Sequence, residues 1–321
     1  LVIVVPCYNE EEVLAETTRQ LSSVVDELLS DGKIDEGKIL YVDDGSRDRT
    51  WELIRGFSET HPSVTGLKLA HNVGHQQALW AGLEWAASHA DAAVSIDADL
   101  QDDVRSIVGM VDAWRGGADI VYGVRRERTT DTFFKKNTAQ AFYKLMNALG
   151  GDIVYNHADF RLMSRRMVDA VLEMSEYNRF SKGIFSWVGF KTKWFAYQNV
   201  ERVAGQTKWN FWSLFKYSIE GIVGFSTQPL VMAALAGVIF CLAAFVGIIF
   251  VVVRALIFGD PTAGWPSMVC IMLLCSGVQL FCLGIVGEYL AKTYLEVKHR
   301  PIYITRETEQ DRDERKPAQQ K

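Results

Sequence analysis

Val94-Ser95-Ile96-Asp97-Ala98-Asp99-Leu100-Gln101-Asp102-Asp103 is a short apolar run that ends in two carboxylates one residue apart, then an amide and more acid. An apolar run of this length, bounded by polar residues, reads as a buried parallel strand. Side chains alternate along a strand, so Asp97 and Asp99 are expected to leave its end on the same side. Two carboxylates that close repel each other unless a cation lies between them. Mg²⁺ typically takes one or two carboxylates together with substrate phosphates. Gln101 falls on the same face and offers a carbonyl oxygen. The alternative is an ordinary strand-to-helix loop in which Asp102 and Asp103 cap the next helix. Asp-x-Asp alone does not decide between them; the flanking chain does.

Upstream, Leu1 to Val5 is a continuous apolar run halted by Pro6, again the mark of a buried parallel strand. Asn9 and the acids Glu10, Glu11 and Glu12 open a helix with apolar positions at Val13, Leu21, Val24, Val25 and Leu28. Lys38 to Asp43 reads as a second strand ending in Asp43-Asp44-Gly45-Ser46. A helix from about Asp48 to Thr60, a strand from Val64 to Leu69 and a helix around Val73 to Ser88 lead back to the acidic stretch. Ala118 to Val124 supplies a fifth strand. This alternation predicts a parallel sheet covered on both faces, with ligands outside the carboxyl ends of its strands. Pro6 to Glu10, Asp43 to Ser46 and Asp97 to Gln101 all fall at those ends. The first strand is not followed by Gly-x-Gly-x-x-Gly, which argues against a dehydrogenase-type dinucleotide site.

Downstream, Arg125, Arg126, Arg128, Lys135 and Lys136 read either as phosphate contacts beside the carboxylates or as a solvated charge run. His157 to Ser164 is strand-like and contains Asp159 and Arg161, which are compatible with a structural ion pair. Lys191 to Val203 alternates well enough for one more strand. From Trp209 to Val223, Trp209, Trp212, Phe215, Ile219 and Ile222 recur at helical spacing opposite polar residues. That pattern suits a helix lying in a membrane interface or packed on the domain surface. Leu230 to Val253 and Met268 to Gly287 are uncharged runs of about 24 and about 20 residues, each able to cross a bilayer core. Arg254, Asp260 and Gly264 fall in the expected connecting loop.

With 321 residues, the chain is expected to divide into a catalytic domain over 1–208, a juxtamembrane helix over 209–226, a two-helix anchor over 227–291 and a polar tail over 292–321. The tail beyond Thr305 is expected to be disordered. Basic residues cluster before the first span and after the second, placing both ends and the catalytic domain in the cytoplasm by the positive-inside rule. A net charge of −5 argues against a nucleic-acid partner. Cys7, Cys241, Cys270, Cys275 and Cys282 show no metal spacing and read as buried free thiols. No signal peptide is read at the start of the chain. Gly237, Gly247, Gly277 and Gly284 would permit close helix contacts, and hence a homo-oligomer, within the membrane.

Pro6-Cys7-Tyr8-Asn9-Glu10, Val42-Asp43-Asp44-Gly45-Ser46, His71-Asn72-Val73-Gly74, Asp97 to Asp102 and Asp159-Phe160-Arg161-Leu162, in this order, resemble the inverting family 2 glycosyltransferases. Within these the chain resembles the polyprenyl-phosphate glycosyltransferases, including bactoprenol glucosyltransferases and dolichyl-phosphate mannose synthase. The resemblance implies a GT-A, Rossmann-like α/β domain with a mostly parallel sheet, and transfer of a hexose, with inversion, from a nucleotide sugar to a polyprenyl phosphate. UDP-glucose and undecaprenyl phosphate are the implied pair. It also implies that Pro6, Tyr8, Glu10 and Asp43 hold the base and ribose, and that Asp97, Asp99 and Gln101 hold Mg²⁺ or Mn²⁺ against the diphosphate. Asp159 stands where the family has an acceptor-side carboxylate, with Arg126, Arg128, Arg202 and Lys208 near the phosphates. Gln206 and Trp209 depart from the family pattern, where an acidic residue and a Tyr are common. A processive polysaccharide synthase is disfavoured because Phe180 to Trp187 lacks a Gln-x-x-Arg-Trp segment. The non-enzymatic alternative is a membrane-anchored sugar-nucleotide sensor, against which intact Asp97, Asp99 and Asp159 count.

Overall fold

The computed structural model describes residues 1–125, 157–174, 176, 184–185, 187–197, 223, 226–258 and 264–308. Strands Val2–Cys7 (β1), Lys38–Asp43 (β2), Val64–Leu69 (β3) and Ala92–Ser95 (β4) alternate with helices Leu14–Ser30 (α1), Thr50–Thr60 (α2) and His75–His89 (α3). Ser106–Arg115 (α4), Ile120–Arg125 (β5), His157–Ser164 (β6), Arg165–Leu172 (α5) and Thr192–Tyr197 (β7) follow. Gln228–Phe258 (α6), Trp265–Val297 (α7) and Thr305–Glu307 (β8) complete the described chain.

One eight-stranded sheet runs in the order β7-β5-β6-β4-β1-β2-β3-β8. Every residue of β1 is buried, because helices cover both faces. Ile3 and Val5 point to one side, against Leu14, Leu21 and Val25 of α1. Val2 and Val4 point to the other, against Leu79 and Leu83 of α3 and Met167 of α5. The close approach of α3 depends on Gly82, where an added Cβ would stand 2.2 Å from Val4 Cγ1. Ser164 starts α5, its hydroxyl accepting the Met167 amide at 3.3 Å.

The sheet is mostly parallel, as expected, with two strands reversed. β6 lies antiparallel between β4 and β5, and β8 antiparallel beside β3. An apolar strand reads the same in either direction, so the pattern does not encode this reversal. Its consequence is that β5 ends and β6 begins at the crevice edge. The first strand also runs through Pro6 to Cys7 instead of stopping. Val4 O accepts from Ile96 N, so the nitrogen of Pro6, two residues on, faces β4, whose ladder with β1 ends at Ser95. Its missing N–H therefore costs no ladder bond. Helices α1 and α2 begin at Leu14 and Thr50, later than expected, because the acidic residues before them form the loops of the crevice.

The polar tail does not leave the fold at Thr305. β8 pairs Thr305 with Leu69 and Glu307 with Lys68, and Ala70 N donates to Ile304 O at 2.8 Å. Trp51 Nε1 donates to Glu307 Oε2 at 3.3 Å, and the Tyr303 hydroxyl bonds Glu84. A cavity of about 280 Å³ separates Pro301 to Ile304 from His71, Asn72, Val73 and Gln77.

Helices α6 and α7 are each long and apolar enough to cross a membrane. Arg254 belongs to α6 and not to the connecting loop. The helices pack on each other, with the Tyr289 hydroxyl donating to Ser226 O, and leave Phe245 64% and Phe281 70% exposed. Among the described residues, a Cβ built on Gly237, Gly247, Gly277 or Gly284 meets nothing within 4 Å. The juxtamembrane helix expected over 209–226 falls almost wholly outside the described residues.

Candidate active site

The loops after β1 and β2 are laced together by side chains the acidic motifs supply. Asn9 N donates to Ser46 Oγ at 3.0 Å, and Arg47 N returns to Asn9 Oδ1 at 2.9 Å. Glu10 N donates to Thr50 Oγ1 at 2.9 Å and Glu11 N to Asp48 Oδ2 at 3.2 Å. Burial opposes ionisation of Asp48, but bonds from the Thr50 hydroxyl and amide and the Glu11 amide outweigh it and hold the carboxyl below its ordinary range. Cys7 is fully enclosed, and burial pushes its thiol well above the ordinary range, so it is an inert packing residue.

Of the residues expected to meet the nucleotide, Pro6 is buried in β1, whereas Tyr8 and Glu10 are half-buried in the loop that follows. Asp43 is fully buried at the end of β2. Its Oδ1 accepts the Ser46 amide at 3.1 Å, and Lys68 Nζ stands 3.8 Å from Oδ2. Among the described residues this buried Oδ2 has no hydrogen-bond donor, and the Lys68 ammonium is the charge that faces it. Next to it Asp44, 2% exposed, takes the Val73 amide at 2.7 Å and the Gly74 amide at 2.8 Å. Burial holds Asp44 above the ordinary carboxylate range, and the two amides offset that only in part.

The Asp-x-Asp lies beyond the strand, since β4 stops at Ser95 and Asp97 to Gln101 form a turn. Strand alternation therefore does not place the two carboxylates. Register does: Ser95 pairs with Arg161, and continuing that antiparallel ladder by two residues sets Asp159 opposite Asp97. Ser95 Oγ fixes the crossing by donating to the Asp159 carbonyl at 2.6 Å. His75, the first residue of α3, puts Nε2 3.7 Å from Asp97 Oδ1 and 3.9 Å from Asp159 Oδ2. Asp99 Oδ1 accepts the Gln101 amide at 3.2 Å. Arg161 is fully buried and pairs with Asp159 Oδ1 at 2.5 Å, its guanidinium stacked 4.1 Å from the Phe185 ring centroid. Asp103 Oδ1 takes Arg105 N at 3.1 Å in the turn ahead of α4, whose first turn at Ser106 carries no side-chain cap, and the buried Asp102 accepts the Tyr197 hydroxyl.

Asp97 is pushed up to about 6, first by desolvation in the crevice and then by the charges of Asp159, Asp102 and Asp99, with His75 pulling the other way. A carboxylate crowded by three others is a site that a cation would relieve. Among the described residues no three metal-binding side chains form a ready-made cluster. Two hard carboxylate donors, with phosphates and water filling the remaining positions, are what Mg²⁺ or Mn²⁺ uses, so Asp97 and Asp99 fit such an ion. Arg126, Arg128, Arg202 and Lys208 lie outside the described residues.

A mostly parallel α/β sheet with an Asp-x-Asp turn and a facing carboxylate at its carboxyl edge is the build of a GT-A glycosyltransferase. The chain belongs to glycosyl transferase family 2, whose model matches residues 2–172. It is 48% identical over 305 residues to the uncharacterized glycosyltransferase YkoT of Bacillus subtilis, covering 94% of this chain and 90% of that one. It is 39% identical over 312 residues to the bactoprenol glucosyl transferase of Shigella phage SfV, covering 96% and 98%. A prophage bactoprenol glucosyl transferase homolog of Escherichia coli is likewise 39% identical over 306 residues, with 94% and 97% covered. The crystal structure of glucosyl-3-phosphoglycerate synthase from Mycobacterium tuberculosis superposes with a TM-score of 0.46 at 20% identity, covering 69% of this chain and 77% of that one.

His75 and Asp44 were not among the residues singled out for the site. His71 to Gly74 is visible as a motif, but the contact that shapes it comes from a carboxylate on another loop. The available signal is adjacency: His75 directly follows that motif at a helix start.

Proposed function

We propose that the chain transfers glucose from UDP-glucose to a polyprenyl phosphate such as undecaprenyl phosphate, with inversion, at the cytoplasmic face of a membrane. The observation that carries this reading is the convergence of Asp97 and Asp159 across one crevice, in a chain alignable end to end with bactoprenol glucosyl transferases. Tyr8, Glu10 and Asp43 serve the base and ribose. Asp97 and Asp99 hold a divalent ion against the diphosphate, with Gln101 beside them. Such an ion, when bound, neutralises charge growing on the leaving nucleoside diphosphate. The acceptor phosphate has a second pKa of about 6 and is mostly ionised at neutral pH, so it needs little help from a base. Asp159, held by Arg161, orients the reacting groups on the acceptor side. In-line attack from the face opposite the diphosphate yields a β-linked lipid-phosphate sugar from an α-linked donor.

In the sequence Arg126 and Arg128 follow β5 and Arg202 and Lys208 follow β7, and we assign these four cations to the lipid phosphate. A charge-assisted phosphate contact is worth on the order of 1.5–3 kcal/mol, so Arg128→Ala or Arg202→Ala should cost roughly ten- to a hundredfold in transfer efficiency. Helices α6 and α7 anchor the domain. The test is transfer of labelled glucose from UDP-glucose to undecaprenyl phosphate by the purified chain in detergent, with Mg²⁺, Mn²⁺ or excess chelator. Metal-dependent formation of one lipid-linked glucose, nearly abolished in Asp99→Asn, is expected. Tight UDP-glucose binding without lipid product would identify a sensor, and a lengthening polymer would identify a synthase. The two Arg variants should lose acceptor dependence and keep donor binding; the opposite pattern would move those cations to the diphosphate.

A further inference from the structure

We infer that Lys68 is a positioning residue for the nucleotide sugar: it steadies the buried Asp43 carboxylate, and Trp51 of α2 and Glu307 of β8 hold it there. The inference rests on the reading that Tyr8, Glu10 and Asp43 serve the base and ribose. Asp43 and Lys68 are registered neighbours at the carboxyl ends of β2 and β3. Asp43 is fully buried, and among the described residues its Oδ2 has no hydrogen-bond donor. A carboxylate withdrawn from water is retained where charge or hydrogen bonds compensate it. The Lys68 ammonium, 3.8 Å from Oδ2, is the charge that does so. The other oxygen, Oδ1, takes the Ser46 amide at 3.1 Å and closes the turn after β2. Ser46 Oγ in turn accepts Asn9 N at 3.0 Å, and Asn9 Oδ1 accepts Arg47 N at 2.9 Å, so the turn fixes the loop that carries Tyr8 and Glu10. Asp43 therefore acts on the donor site through the two loops it ties, and their setting depends on the charge behind it.

A lysine stem has many rotamers, and here its surroundings select one. The Lys68 side chain is 16% exposed, and its ammonium lies 5.3 Å from the centroid of the Trp51 ring, a cation–π contact. Trp51 is fixed in turn. Its Nε1 donates to Glu307 Oε2 at 3.3 Å, and Glu307 is the cross-strand partner of Lys68 in the β3–β8 ladder. Gly66, on the same face of β3 as Lys68, lets α2 approach closely enough for this contact. A Cβ added there would stand 2.6 Å from Ile54 Cγ2 and 3.1 Å from Trp51 Cζ3. The edge strand that follows α7 thus reaches the donor site through two side chains, Trp51 and Lys68.

Equilibrium titration of UDP-glucose, with Mg²⁺ present, onto the full-length protein in detergent tests this, beside steady-state transfer to undecaprenyl phosphate. Lys68→Met keeps the stem and removes the charge. It should weaken UDP-glucose binding about tenfold and raise the donor KM by the same factor. The kcat at saturating donor and the KM for the lipid should stay within about threefold, a split that a general loss of structure would not produce. Lys68→Arg, which keeps the charge and can lie on the indole, should retain near-normal affinity. Trp51→Leu should shift donor affinity in the same direction. Neither it nor Lys68→Met should cost anything further in an Asp43→Asn protein, because positions that act as a unit are non-additive. Unchanged donor binding in Lys68→Met, or a loss that multiplies with that of Asp43→Asn, overturns the inference. Unchanged donor binding in Asp43→Asn itself overturns the reading of Asp43 on which the inference rests. Melting curves run in parallel check folding, and Lys68→Gln replaces the methionine variant if that one does not fold.

Discussion

The proposed metal role of Asp97 sets protonation and metal binding in competition at one carboxylate. Its carboxyl is raised from 3.8 to about 6, with Asp159, Asp102, Asp99 and His75 the ionisable groups acting on it. Between those two pH values the folded protein holds a proton that the unfolded chain has lost. Stability without metal should therefore fall as pH rises from about 4 to about 6. A divalent ion takes the ionised form, so the rise in Tm on adding Mg²⁺ or Mn²⁺ should be full at pH 7 and shrink as pH drops through 6. Melting curves at pH 5, 6 and 7, with and without metal, read this directly, and Asp97→Asn should remove the metal response. An equal metal shift at pH 5 and pH 7 would place the ion elsewhere. At this scale the sequence is legible where chemistry is local: an apolar run ending in acids marks Asp97 and Asp99, and a strand-like segment containing both charges marks the Asp159–Arg161 pair. Asp44 is illegible because its partners are amides 29 and 30 positions away, which leave no imprint on side-chain pattern.

Among the elements, the long buried strands were plain in the hydrophobic pattern, because β1 to β3 need apolar side chains on both faces. The direction of β6 was not, and it is β6 that brings Asp159 to Asp97. β8 was missed for another reason: Thr305-Arg306-Glu307 is too short and too polar to announce a strand. It forms because the edge of β3 is available and Trp51 and Lys68 offer partners. Two truncations separate its role from that of the residues beyond it. Ending the chain after Thr308 should leave Tm unchanged. Ending it after Arg300 removes the ladder to β3, the Tyr303–Glu84 bond and one wall of the cavity beside His71 and Asn72. With each bond worth about 1 kcal/mol net, the loss should lower Tm by roughly 5 °C or more and expose a sheet edge prone to pairing. Equal melting temperatures for the two truncations would show that β8 contributes nothing to the domain.

At the scale of the whole molecule, the two apolar helices and the sheet are joined at both ends of the membrane segment. α7 has 33 residues, so at about 1.5 Å per residue it is about 50 Å long against a hydrocarbon core of about 30 Å. Its last turns hold Glu288, Lys292 and Glu296, which belong in water, and Lys298 and Arg300 follow before the chain reaches β3. The helix thus has length to span the core and still carry the chain up to the sheet. β8 and the catalytic strands share one sheet, so the end of α7 and the active site must lie on the same side of the bilayer. Basic residues are concentrated in the sequence before α6 and after α7, while the segment between the two helices has Arg254 as its nearby cation, so the proposed orientation puts the shared side in the cytoplasm by the positive-inside rule. The check uses a membrane-impermeant thiol reagent on intact cells expressing a variant with Cys241, Cys270, Cys275 and Cys282 replaced by alanine, Cys7 being buried. In that background Gly264→Cys, exposed at the start of α7, should react from outside. Glu59→Cys, exposed on α2, should react after the cells are opened. Labelling of the Glu59 position in intact cells would invert the topology and put the site on the side where nucleotide sugars are not made. Labelling of both positions in intact cells would mean that the helices do not cross at all.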